Sequence, residues 1–363
     1  MRADSHVKYS LQNQQSVQYF SKTTQVLSPM ARSLQRSLGL AALLPFLVFA
    51  LACRSGAPPI VFTSDRDGNL EIYSVRADGR GEEQNLTKSP RDEFSPSLSP
   101  NGRYVAFLAG GSDDMKLEVL QISGDDRTQV FSGSGEITHP KWGPDSERLS
   151  FALAQESGNA VYVSDSEGEE SMLLSKVAAD EVGGWSPEGN FIVFSVRDGA
   201  EQGLYVRNPD GVNEFRRTQS TDYGAKWSPD SRYIAFLSTR DGNSEVYVID
   251  PEEGEEVRVT NSEAPEYDLS WSPNGKRLLF VTERDGNAEI YSIEIKDKGM
   301  SDNLTRLTHN EVRDEQPTWS PNGRRIAFVS YLDGDAEIFV MESDGQDQQR
   351  LTNNESEDTE PSW

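Results

Sequence analysis

One cysteine, Cys53, stands in 363 residues. No intramolecular disulfide is available, so stability has to come from packing. Histidine is scarce as well, with three residues in the chain. Beyond the N-terminal segment only His139 and His309 remain. Two scattered histidines cannot build a three-His zinc site. Basic residues are outnumbered 35 to 60, for a formal net charge of −25. That balance excludes nucleic acid as a partner, because phosphate binding needs clustered Lys and Arg. It also excludes docking on an anionic membrane by charge alone. No Gly-x-Ser-x-Gly nucleophile motif occurs, and no long amphipathic helix follows residue 52. Glycine, proline, aspartate, asparagine and serine are plentiful, which predicts a fold rich in turns. Aromatic residues make up 9% of the chain, too many for a disordered acidic polymer.

The one long apolar run is Leu38–Ala52, 15 uncharged residues interrupted by Pro45 and preceded by Arg32 and Arg36. It is short for a membrane span and has the pattern of a secretory signal. Met30 begins that pattern, so residues 1–29 read as an over-called start. The stretch Phe49-Ala50-Leu51-Ala52-Cys53 resembles a bacterial lipobox, with Ala50 where Leu is usual. That resemblance implies cleavage before Cys53 and lipidation of Cys53. Arg54 follows rather than Asp, which implies no inner-membrane retention. Residues 1–52 are thus expected to be a signal peptide, 53–58 a lipid-anchored tether and 59–363 the folded domain. Removing 1–52 takes away five basic residues and one acidic one, leaving a net charge of −29.

The rest of the chain repeats itself. Trp-Ser-Pro recurs at Trp185, Trp227, Trp271 and Trp319, with relaxed copies at Leu98 and Trp142 and a last one ending at Trp363. The spacings are 44, 43, 42, 44, 48 and 44 residues. Each copy is followed by an apolar run ending in Phe62, Phe107, Phe151, Phe194, Phe236, Phe280 or Phe328. A third marker falls at Tyr73, Leu120, Tyr162, Tyr205, Tyr247, Tyr291 and Phe339. Arg-Asp-Gly-Asn lies between the second and third markers at 66–69, 240–243 and 284–287. Asp-Gly between β-rich runs signals a tight hairpin. A Leu-Thr or Val-Thr segment closes the unit. Each unit therefore reads as four antiparallel strands, A to D, the signature of a propeller blade. The chain enters at a B strand and ends on an A strand. The C-terminal strand is thus expected to complete the N-terminal blade of an all-β, seven-bladed β-propeller.

The Pro-x-Trp-Ser-Pro turn, the Ile-Ala-Phe strand, the Arg-Asp-Gly-Asn hairpin and the Glu-[Ile/Val]-Tyr strand resemble the WD-like repeat of the TolB propeller family. TolB proteins are similar to an α/β domain followed by six blades, whereas this chain reads as seven blades. The resemblance implies an envelope protein that binds protein segments at its channel mouth, a Pal-like lipoprotein among them.

Five residues before the A-strand markers stand Glu93, Asp180, Asp222, Glu266, Asp314 and Asp358. Ile137 breaks the series beside Glu136. Glu181, Asp268, Glu315 and Glu360 stand close by. Such acids either cap turns by accepting backbone N–H groups or focus negative potential at the channel mouth. A mouth of that kind would attract Ca²⁺ or a basic peptide. Phe94, His139, Tyr223 and Tyr267 are expected to add contact area there. The Asp-Gly hairpins do not fit a calcium loop, since the glycine expected at the sixth position from Asp65 is Leu70. The leading expectation is a non-enzymatic protein-binding propeller, with Ca²⁺ in the acidic channel as the one cofactor considered. The alternatives are a lyase or hydrolase acting on polysaccharide or lactone through His139 and the mouth acids, and a structural cation-binding lipoprotein.

Overall fold

A computed structural model of the protein describes residues 58–363, apart from 112–113, 125, 156–158, 176, 333 and the side chain of His139. The leader and Cys53 lie outside the described residues. Twenty-eight strands, β1 to β28 in chain order, form seven antiparallel sheets of four strands each. The only helical element among the described residues is a 3-10 turn at Asp297–Gly299. Six sheets use consecutive strands. The seventh joins β28 (Asp358–Ser362) to β1 (Ile60–Ser64), β2 (Glu71–Val75) and β3 (Gln84–Asn85). Thr63 stands opposite Thr359 and Val61 opposite Ser362. This is the seven-bladed β-propeller expected from the repeat, with the two ends of the domain sharing blade 1. Closure leaves no unpaired sheet edge at the seam.

The core is divided among the blade interfaces. Seven separate clusters of buried apolar residues each join two neighbouring blades. Ile60 and Phe62 of blade 1 pack with Val329 and Ile338 of blade 7. Val61 and Ile72 of blade 1 pack with Val105 and Phe107 of blade 2. The seven repeat phenylalanines are all essentially inaccessible to solvent. They fill these interfaces, as recurring large residues of a repeat array must.

The third marker sits directly opposite the Phe, as in Phe62–Tyr73 and Phe236–Tyr247. Blade 2 corrects the sequence alignment. Phe107 pairs with Glu118, and Leu120 pairs with Val105. Glu118 binds Arg127, whose guanidinium lies 5.0 Å from the centre of the Phe107 ring. An ion pair thus replaces the second ring.

The Arg-Asp-Gly-Asn hairpin divides its work among four residues. Arg66 lies over the Tyr73 ring at 4.3 Å, and Arg240 over the Tyr247 ring at 4.6 Å. Asp67 accepts a hydrogen bond from the Tyr73 hydroxyl. Gly68 adopts φ +93°, which a side chain would oppose. Asn69 Nδ2 donates to the Arg91 carbonyl at 2.9 Å, tying the hairpin to the loop that leads into blade 2.

The tryptophans staple blades together. Trp142 Nε1 donates to the Ser97 carbonyl at 2.8 Å, and Trp271 Nε1 to the Lys226 carbonyl at 3.1 Å. Each acceptor belongs to the innermost strand of the preceding blade. Trp227 Nε1 is buried without a partner among the described residues. The inner strand before it, Glu181–Trp185, has five residues where its neighbour Asp222–Trp227 has six.

Candidate functional site

The innermost strands are β28, β4 (Glu93–Leu98), β8 (Glu136–Trp142), β12 (Glu181–Trp185), β16 (Asp222–Trp227), β20 (Glu266–Trp271) and β24 (Asp314–Trp319). Together they surround a central channel of about 860 Å³, and all seven contribute to its wall.

Every inner strand carries a β-bulge against its neighbour. A bulge adds an unpaired residue and re-aims the side chains beyond it. At this position Ser95, Asp268, Gln316 and Glu360 adopt φ between +53° and +57°. That conformation costs a non-glycine residue about 1–3 kcal/mol. Hydrogen bonds around the channel offset it. Gln316 N–H donates to Asp268 Oδ2 at 3.0 Å, and Glu360 N–H to Gln316 Oε1 at 2.7 Å. Ser95 N–H donates to Glu360 Oε2 at 2.7 Å. The relay runs from blade 6 through blades 7 and 1 into blade 2. Glu181 Oε2 likewise accepts from Gly224 N–H at 3.1 Å.

The register acids sit one tier further out. Glu93, Asp222, Glu266, Asp314 and Asp358 have no exposed surface, and none of them, nor Asp180, lines the channel. Arg66 Nη2 donates to both oxygens of Asp358, at 2.9 and 2.7 Å. Arg240 Nη2 holds Asp222 in the same way, at 2.9 and 3.1 Å. Arg284 binds Glu266 at 2.7 Å. Blade 2 lacks the hairpin arginine, and Arg127 of its outer strand takes Glu93 instead. Asp180 accepts from Arg197 N–H at 2.7 Å and from Asn159 at 2.9 Å. Asp314 accepts from Asn310 at 2.7 Å, and burial pushes its pKa up to about 6. No group of three carboxylate or imidazole side chains able to share a metal ion occurs among the described residues.

A second polar layer explains two further motifs. Glu245, first residue of its strand, accepts from the Thr260 hydroxyl at 2.7 Å and from Arg258 at 2.9 Å. Arg306 meets Glu289 in the same way at 2.8 Å. The Glu of the Glu-[Ile/Val]-Tyr strand and the Thr that closes the unit are therefore partners. In blade 6, burial and then the neighbouring Glu245 push Glu266 up to about 7. Glu266 thus binds a proton in the folded state at pH values where it is ionised in the unfolded chain. This contribution to stability is full below the ordinary carboxylate range and is lost as pH rises through about 7. Glu266→Gln is expected to flatten the fall in stability between about pH 5 and about pH 8. Urea unfolding at both pH values measures this, and a slope equal to that of the unmodified protein would contradict it.

Phe94, Tyr223 and Tyr267 line the channel at the end where the inner strands begin. All three are half-buried. The Tyr223 hydroxyl donates to Ser244 Oγ at 2.9 Å, and Arg197 lies 4.9 Å from its ring centre. The Tyr267 hydroxyl donates to Glu315 Oε1 at 3.1 Å. Burial and then the Glu315 charge raise its pKa. The backbone of His139 lies in the β8 bulge, between the paired residues Thr138 and Lys141. Glu136, Glu181, Asp268 and Glu360 supply the lumenal carboxylates.

The family model described as TolB beta propeller domain matches residues 76–226 and 218–315. The chain belongs to the TolB beta propeller domain family. A protein TolB homolog of Chlorobium chlorochromatii is 31% identical over 138 residues, 37% of this chain and 30% of that protein. One from Chlorobium luteolum is 32% identical over 145 residues, 39% of this chain and 33% of its own. The chain thus spans about a third of the length of these curated relatives. Among solved structures, TolB from Acinetobacter baumannii superposes with a TM-score of 0.59 at 18% identity, covering 84% of this chain and 66% of its own. Oligogalacturonate lyase from Vibrio parahaemolyticus gives 0.62 at 15% identity, covering 78% and 86%. At such identities the likeness shows the fold alone.

In this TolB propeller the sequence brings the register acids to one level of the ring but leaves their arginine partners unassigned. Arg66, Arg240 and Arg284 were readable as hairpin residues only. Their recurrence in the same repeats as Asp358, Asp222 and Glu266 is the signal that could have paired them.

Proposed function

We propose that this propeller is a non-enzymatic binding module of the bacterial cell envelope. It holds an extended segment of a partner protein in the central channel, entered between Phe94, Tyr223 and Tyr267. The observation that supports this is a single channel walled by all seven inner strands, with three aromatic side chains at one end. Half-buried tyrosines give contact area at low entropic cost and often dominate interfaces. Membership of the TolB propeller family supports an envelope role, and a Pal-like lipoprotein is the partner it suggests. The register acids Glu93, Asp180, Asp222, Glu266, Asp314 and Asp358 serve this site indirectly, by fixing the inner strands that carry the lumenal residues.

The proposed lipid anchor at Cys53 has a geometric consequence. Pro58 lies with Pro100, Pro229, Pro273, Pro321 and Trp363 around a smaller cavity of about 380 Å³ at the end where the inner strands finish. Pro58 follows Cys53 by five residue steps, a reach of at most about 18 Å. An anchored propeller would turn its proline-lined end to the membrane and its aromatic mouth away from it.

Replacing Tyr223 and Tyr267 together with Ala is expected to weaken partner capture from cross-linked envelopes by at least about tenfold. Replacing the exposed Phe215 on an outer strand is expected to leave capture unchanged. Equal capture by both variants, or turnover of a small substrate with no protein captured, would overturn the proposal.

A further inference from the structure

Two lysines line the same channel. Lys141 in β8 and Lys226 in β16 each stand one residue before the tryptophan that ends the strand. The other blades carry Ser97, Gly184, Ser270, Thr318 and Ser362 at this position. Both lysines line the channel. The charge that acts most strongly on Lys141 is that of Lys226, and burial acts in the same direction. Glu181 and Glu360 offset this only in part, so that the Lys141 ammonium is pushed down to about 7. Neither ammonium forms an ion pair or hydrogen bond with the described residues. Arg197, the third lumenal cation, is held by Glu181 at 3.1 Å. Five blades manage with small residues here, so the ring does not require a lysine at this level. Two like charges whose carboxylate neighbours offset their repulsion only in part would gain from a ligand anion.

We propose that Lys141 and Lys226 form an anion-binding site in the channel that takes one carboxylate of an inserted peptide segment. The nearby carboxylates select the charge. Glu181, Asp268 and Glu360 face the same lumen. A multiply charged phosphate would meet their repulsion more strongly than a singly charged carboxylate. Ser270 and Thr318 line the channel at the same strand position, and a hydroxyl can donate to a remaining lone pair. The site departs from the expectation of a purely acidic channel: a segment entering it meets two lysines among the lumenal carboxylates. The peptide source of the carboxylate rests on the function proposed above; the lysine site itself does not.

The test uses the whole propeller and three probes at constant ionic strength. These are N-acetyl-triglycine with a free C-terminal carboxylate, the same peptide amidated, and inorganic phosphate. Isothermal titration is expected to show binding of the free acid at least about tenfold tighter than of the amide or of phosphate. Lys141→Met and Lys226→Met are each expected to abolish that preference. Without ligand, both variants should melt at or above the temperature of the unmodified protein, because like-charge repulsion has been removed. Equal binding of acid and amide, tighter binding of phosphate, or an unchanged preference in both lysine variants would overturn the proposal. Tyr223→Ala with Tyr267→Ala separates the two ideas. If the mouth reading fails but the lysine site is correct, loss of the tyrosines leaves envelope capture intact while the acid-over-amide preference still depends on Lys141 and Lys226.

Discussion

A chain ending at Glu357 is expected not to form a stable ring. The six residues removed supply the whole inner strand of blade 1. β1 would lose its partner and present an open edge to the channel. Arg66 would lose Asp358, to which it donates at 2.9 and 2.7 Å. Glu360 would no longer accept from Thr63 at 2.8 Å or from Ser95 N–H at 2.7 Å, so the relay around the channel would break between blades 7 and 2. Trp363 would release the Pro58 carbonyl at 3.1 Å. Each hydrogen bond of this kind is worth about 1 kcal/mol, and more when one partner is charged. Added to the apolar contacts at the seam, the loss matches the whole stability of an ordinary domain, about 5–15 kcal/mol. Urea unfolding followed by tryptophan fluorescence should show no cooperative transition. A truncated chain that unfolds at the midpoint of the full one would contradict ring closure as the source of stability.

The second large effect is expected at Arg240. Asp222 has no exposed surface, and Arg240 supplies its only cationic partner among the described residues. Arg240→Ala leaves that carboxylate buried without a counter-charge and removes the guanidinium from the Tyr247 ring at 4.6 Å. Breaking a buried pair from one side costs about 3–5 kcal/mol. Asp222→Ala is expected to cost less, because Arg240 is about a quarter exposed and keeps Glu256. The double variant should recover part of the loss. A thermodynamic cycle on urea unfolding measures the coupling. A loss below about 1 kcal/mol for Arg240→Ala would show that the pair only decorates the hairpin.

The architecture was legible because a propeller repeats its instructions. Phe and Tyr recur at a fixed separation since they face each other across two strands, as Phe62 and Tyr73 do. Trp recurs because Trp142, Trp185, Trp271 and Trp319 each reach back to the preceding blade. Leu120 misled because blade 2 replaces the second ring by Glu118, and an apolar residue two positions on looked like the better match. The channel was harder to read. Alternation of side chains along a strand predicts which residues share a face, but a bulge in every inner strand resets that alternation. The acids that open β4, β16, β20 and β28 therefore turn inward to the blade, where arginines neutralise them. The side chains that meet the lumen come from the bulge, as Asp268 and Glu360 do, and from the residue before the tryptophan, as Lys141 and Lys226 do. Those lysines carry no repeat signal, since most blades have a small residue there.

The central claim is that a partner segment enters the channel between Phe94, Tyr223 and Tyr267. The most direct measurement places a photo-cross-linking residue at position 267 and, as a control, at position 215 on an outer strand. Both variants are irradiated in intact cells of the source organism, and adducts are mapped by mass spectrometry. The account predicts one protein adduct from position 267, joined through a single short segment of its sequence, and none of that protein from position 215. The same adduct from both positions, or one from position 215 alone, would contradict it.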